Sequence, residues 1–101
     1  MPGNFGTIRK RLRAEPALLP QAIEEVLRYR SPVQSMYRVT AADTGLGGVP
    51  IPAGAPLVAW IGSANRDERQ FEHAEQFDVD RGPNPHLAFG HGIHFCLGAP
   101  L

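Results

Sequence analysis

The chain has 101 residues, 43% of them hydrophobic, and its ten basic and ten acidic side chains leave no net charge at neutral pH. That length suits one small domain and is too short for a large catalytic fold around a buried cofactor, while the apolar content argues against wholesale disorder. Charge balance gives no reason to expect nucleic acid as a partner, and a single cysteine excludes an internal disulfide framework.

The amino-terminal stretch MPGNFGTIRKRLR lacks the apolar core of a secretory signal. A short helix is predicted from about Thr7 to Arg13, and its RKRLR cluster reads as a solvated face, because acidic stretches balance it and no stacking aromatics interrupt it. LLPQAIEEVLRYRSP predicts a second helix. Pro20 suits its first turn, Ala22, Ile23, Val26 and Leu27 form an apolar stripe at helical spacing, and Ser31 before Pro32 marks its stop.

MYRVT and PLVAWI are short strand candidates on either side of the turn-rich GLGGVPIPAG, which predicts a small, irregular antiparallel sheet bent at Gly47-Gly48 and Ala53-Gly54. Trp60 is assigned to the core. The apolar stretch Pro56 to Ile61 is far too short to span a bilayer, so no membrane is expected and the chain reads as cytoplasmic. GSANRDERQFEHAEQFDVDRGPNPH sustains neither period and predicts short helical turns joined by ordered loop, with Phe71 and Phe77 as anchors. CLGAPL resembles the first turn of a helix that is cut off.

The chemistry concentrates in AFGHGIHFCLG, residues 88 to 98. A lone cysteine is ordinarily a small buried hydrophobe or a free thiol. Around Cys96, however, Gly90, Gly92 and Gly98 allow sharp bends and close backbone approach, and a helix start after it would offer amides and a dipole that favour thiolate. Three chemistries fit these residues. A nucleophile would use His94 or His91 as base, although no oriented partner or oxyanion donors are identified. Zinc would use His86, His91, His94 and Cys96 at irregular spacing. A thiolate on haem iron needs one sulfur, a tight loop, and apolar neighbours such as Phe89 and Phe95.

FGHGIHFCLG resembles the signature of the cytochrome P450 family, with Phe89, Gly92, Cys96 and Gly98 in its fixed places. EEVLR carries the family's E-x-x-R pair as Glu25 and Arg28, and FDVDR supplies the later arginine, Arg81, in the family order. The resemblance runs across nearly all of the chain. It implies that Cys96 is the proximal ligand of haem b, whose anionic sulfur favours O-O cleavage, with neighbouring amides donating to the sulfur. It implies further that Phe89 covers the proximal face, that Gly90 and Gly98 are among the haem-binding residues, and that Arg38 and His94 pair with the propionates. Glu25, Arg28 and Arg81 would form a buried ion network, and His91 would face a redox partner.

On this resemblance the fold class is the mainly α cytochrome P450-like fold in the parent. Residues 1–101 form a partial domain of it, an α+β fragment with the E-x-x-R helix, a small antiparallel sheet, a meander loop and the cysteine haem-ligand loop. Its expected place is the carboxy-terminal portion, without the upstream distal helix and substrate pocket. The parent would be a soluble bacterial-type monooxygenase, taking a small organic substrate and two electrons from a ferredoxin or flavoprotein reductase. The isolated chain is expected to bind haem weakly and to lack efficient monooxygenation. The competing readings are a non-catalytic Cys/His metal-binding module and a structural remnant that docks on another protein.

Overall fold

The computed structural model describes residues 5–100. Its first element is helix α1 (Phe5–Ala14), longer at both ends than the predicted span, and a 3-10 turn at Pro16–Leu18 leads into helix α2 (Leu19–Tyr29). Pro20 lies in the first turn of α2, where its missing N–H has no intrahelical partner to lose. Ser31 closes the other end by donating from Oγ to the carbonyl of Leu27 at 2.9 Å.

The face that α2 buries shares only Ala22 with the apolar stripe read from its spacing. Ala22, Glu25, Arg28 and Tyr29 are buried, whereas Ile23 and Val26 are about half exposed. A carboxylate and a guanidinium can occupy the inner face because each neutralises the other and loop carbonyls take the remaining donors, a compensation that helical periodicity does not register.

The predicted single sheet is two separate antiparallel ribbons, one nested inside the other. Strand β1 (Met36–Val39) pairs with β4 (Pro56–Ala59), aligning Arg38 with Leu57, and β2 (Thr44–Leu46) pairs with β3 (Val49–Ile51) across the Gly47-Gly48 turn. Thr40 joins them: its amide donates to Ala55, its hydroxyl donates to the carbonyl of Pro52, and that hydroxyl accepts from the amide of Ala55. Trp60 is 62% exposed, which corrects its assignment to the core; it sits at the edge where β4 gives way to the short helix α3 (Ile61–Ala64).

From Asn65 onward the chain is turns and loop, ending in a 3-10 turn at Gly92–His94 and a further turn through Leu97–Pro100. Phe71, Ala74, Val79 and Ala88 from this region pack with Ala22, Tyr29 and Ile61 into the core. Phe77 meets the Tyr29 ring edge-on at 5.6 Å and Phe5 at 5.8 Å, which holds α1 against the loop. The radius of gyration is 16.7 Å, against about 13 Å for a compact domain of this length, and the body measures 54 × 30 × 19 Å. Large apolar side chains stand in solvent, Ile93 and Leu97 almost completely.

Candidate functional site

Glu25 and Arg28, one helical turn apart, form a two-bond fork in the core: Arg28 donates from Nε to Oε2 at 2.8 Å and from Nη2 to Oε1 at 2.7 Å. The other donor positions of Arg28 are taken by the carbonyls of Asn65, Ala74 and Gln76 at 2.8–2.9 Å, so its charge is fully hydrogen-bonded without water. Arg81 reaches Glu25 from the far side, its Nε 3.2 Å from both oxygens, and the amide of Asp78 and Nδ2 of Asn84 also donate to that carboxylate. Burial pushes the Glu25 carboxyl up, but the donors from Arg28, Asp78 and Arg81 outweigh it and hold the group below its ordinary value.

Around this network the loops are tied down by groups that no motif marks. Arg66 lies 4.0 Å over the Tyr29 ring, pairs with Glu75 at 2.8 Å and donates to the Tyr29 carbonyl. His86 accepts at Nδ1 from the Ala88 amide, which leaves Nε2 to carry the proton donated to Glu24. Fully buried Asn65 binds both Ser31 and the Leu87 amide. The signals are absent from local sequence because their partners stand far away along the chain.

The cysteine loop begins at Leu87. A turn is closed by the Gly90 amide on the Leu87 carbonyl at 2.9 Å, and the Cys96 amide donates back to Phe89 at 2.9 Å, so residues 89–96 form a closed loop. Gly90 and Gly92 have φ of +80° and +81°, the left-handed region that other side chains resist. The Phe89 and Phe95 rings meet edge-on at 6.2 Å. Cys96 is an exposed free thiol, and a Cβ added to Gly98 would stand 3.8 Å from its Sγ.

This loop and the β1 ribbon face each other across a groove of about 340 Å³. Pro32, Val33, Met36 and Ile61 supply an apolar wall, Arg38, His91 and His94 are its basic groups, and Phe89, Gly90 and Cys96 line the loop side. Arg38 donates to its neighbour Tyr37 at 2.8 Å and is exposed. Of the sequence-derived site residues, Arg38, Phe89, Gly90, His94 and Cys96 thus share one groove; Gly98 stands beside the sulfur, and Glu25, Arg28 and Arg81 lie in the core behind it. His86 is engaged with Glu24, and among the described residues no three His, Cys, Asp or Glu side chains are grouped to hold a metal ion.

A sequence profile described as Cytochrome P450 matches residues 3–101. The chain belongs to the cytochrome P450 family. It is 52% identical over 94 residues to the putative cytochrome P450 YjiB of Bacillus subtilis, covering 93% of this chain and 24% of that protein. It is also 52% identical over 90 residues to a steroid C26-monooxygenase of Mycobacterium tuberculosis, covering 89% of this chain and 24% of that one. Among solved P450 structures, substrate-free CYP109E1 from Bacillus megaterium superposes with a TM-score of 0.88 at 57% identity, over 90% of this chain and 24% of that one. CYP109B1 from Bacillus subtilis superposes with a TM-score of 0.91 at 50% identity, over 99% and 26% respectively. The chain therefore spans about a quarter of the length of the P450s it matches. P450 family members bind haem b through a cysteine thiolate.

Proposed function

We propose that this chain is the haem-holding portion of a cytochrome P450 monooxygenase, with Cys96 as the iron ligand. The observation that carries the reading is the shared groove: Arg38 on β1 and Phe89, Gly90, His94 and Cys96 on the loop line one space, although they are distant in sequence. Its donor set suits haem b. One soft sulfur stands on an apolar surface, as a porphyrin-bound iron requires, and a guanidinium and an imidazole offer charge-assisted bonds to two carboxylates. Bound there, haem b would supply dioxygen activation and the transfer of one oxygen atom to an organic substrate.

Within that site Cys96 holds the metal, Phe89 shields one face from water, and Arg38 and His94 fix the group's orientation through its propionates. Gly98 leaves room beside the sulfur, and the Glu25, Arg28 and Arg81 network anchors the loops behind it. The substrate is a small organic molecule, delivered by surfaces outside this chain, and the electrons come from a ferredoxin or flavoprotein reductase in a cytoplasmic setting. Support for the substrate class comes from CYP109E1, solved in complex with testosterone and with corticosterone. Among the described residues no helix is long and apolar enough to cross a membrane.

The elongated body, the exposed apolar side chains and the quarter-length match support a chain that acts as one part of a larger P450 body, and the cysteine motif is what suggests its carboxy-terminal part. Alone, it binds haem weakly and does not turn over substrate. The test is a haem titration of the 101-residue chain to excess, read by the ferrous carbonyl spectrum. The expected result is a thiolate-type band that Cys96→Ser abolishes; an unchanged band in that variant overturns the reading. Stoichiometric zinc binding that requires His91, His94 and Cys96, without a thiolate-type band, would replace it with a metal module.

A further inference from the structure

Asn65, at the end of α3, is completely buried, and each of its polar atoms points to a different part of the fold. Its backbone carbonyl accepts from Nη1 of Arg28 at 2.9 Å, its Nδ2 donates to Oγ of Ser31 at 2.7 Å, and its Oδ1 accepts from the Leu87 amide at 2.7 Å. The orientation of the amide is forced. A backbone N–H can only donate, so the atom facing Leu87 must be oxygen, and the Ser31 hydroxyl, whose own hydrogen goes to Leu27, must accept from the nitrogen. Turning the side chain over would set its nitrogen against the Leu87 N–H, donor against donor, and draw the Ser31 hydrogen away from Leu27.

Leu87 is where the cysteine loop begins. From it the Gly90 amide closes a turn onto the Leu87 carbonyl, and the Cys96 amide closes the loop onto Phe89. Hydrogen bonds joined through the Phe89–Gly90 peptide link therefore connect the Glu25 and Arg28 fork, by way of Asn65 and Leu87, to Cys96. The other tether of this loop, from Ala88 through His86 to Glu24, ends on a carboxylate that is half exposed, where water competes for it.

We propose that Asn65 is a positioning residue, the buried tether that sets where the Cys96 sulfur stands relative to the core network. The inference rests on the reading of Cys96 as iron ligand and adds a residue that none of the family motifs in the sequence contains. Asn65 acts through Leu87, so its loss frees the loop selectively, while a purely structural loss would loosen α2 to the same extent.

The test is amide hydrogen exchange on the full 101-residue chain without haem, followed by haem titration. In Asn65→Ala, the Leu87 and Cys96 amides are expected to exchange at least about tenfold faster, because the Leu87 amide has lost its acceptor, while the Arg28 and Tyr29 amides change little. The thiolate-type fraction of the ferrous carbonyl spectrum falls with them. Asn65→Asp keeps the acceptor and restores protection at Leu87; Ser31→Ala removes only the Nδ2 partner and has a smaller effect. Unchanged exchange at Leu87 in Asn65→Ala overturns the proposal, as does equal loss of protection along α2. Should Asn65→Ala not fold, an Asn65→Asp chain whose Leu87 exchanges freely overturns it. A carbonyl band insensitive to Cys96→Ser removes the ligand reading and leaves the exchange pattern standing, so the two failures are distinguishable.

Discussion

Arg28 grips Glu25 through two parallel bonds of 2.7 and 2.8 Å with both side chains sealed from solvent, and it hands its remaining hydrogens to three loop carbonyls. Removing one partner strands the other charge in the core. Arg28→Met is expected to destabilise the chain by about 3–5 kcal/mol, a large share of the roughly 5–15 kcal/mol that holds an ordinary domain together. Arg28→Lys should fall in the same direction, since an ammonium cannot reproduce the planar fork. Urea unfolding checks both, and midpoints unchanged from wild type would contradict the central place given to this pair.

The same carboxylate makes the fold acid-sensitive. Glu25 is held below its ordinary value of 4.5 in the folded chain, so the unfolded chain takes up a proton first as pH falls. The stabilisation is present in full above 4.5 and is lost progressively as pH drops through the folded value. Denaturant titrations from pH 7 to pH 3 are expected to show a falling stability in the wild type, and Glu25→Gln should flatten the part of that slope contributed by this group. Asp67 and Asp80, depressed by Arg69 and Arg11 on the surface, leave a residual slope in both chains.

How far the sequence discloses this arrangement depends on how local each interaction is. Helix α2 and the bend at Gly47-Gly48 follow from spacing and turn chemistry within a few residues, whereas β2 and β3 lie partly in a stretch whose glycines and prolines read as turn. The inner face of α2 does not, because burying Glu25 and Arg28 in place of Ile23 and Val26 depends on carbonyls at Asn65, Ala74 and Gln76. Trp60 is apolar by composition and exposed by position. Asn65 escapes notice for the same reason as Arg66: an ordinary polar residue in a loop becomes a junction only when the fold brings its partners to it. Arg38 is placed in the groove by β1 pairing with β4, a contact across the whole intervening hairpin.

Arg38 and His94 are expected to act on haem retention more than on folding, because both are exposed and both line the groove. Each charge-assisted bond lost from a propionate should speed haem release by about tenfold or more. Arg38→Ala and His94→Ala, loaded with haem and mixed with a scavenging apoprotein, are expected to lose it faster than wild type while unfolding at nearly the same urea concentration. Arg11→Ala, which breaks a surface pair with Asp80 away from the groove, serves as the control and should release haem at the wild-type rate.

The left-handed turn at Gly90 separates backbone cost from crowding. With φ at +80°, an L-residue there is strained whatever space surrounds it, and a Cβ would meet only the His94 carbonyl at 3.7 Å, an ordinary contact. Gly90→Ala is therefore expected to destabilise the chain by about 1–2 kcal/mol, the cost of forcing an L-residue into this region. Total synthesis with D-alanine at the same position should recover most of that loss, because the mirror-image residue favours positive φ. Thermal melts of the three chains decide the matter: if the L and D forms melt together below wild type, packing and not backbone conformation requires the glycine.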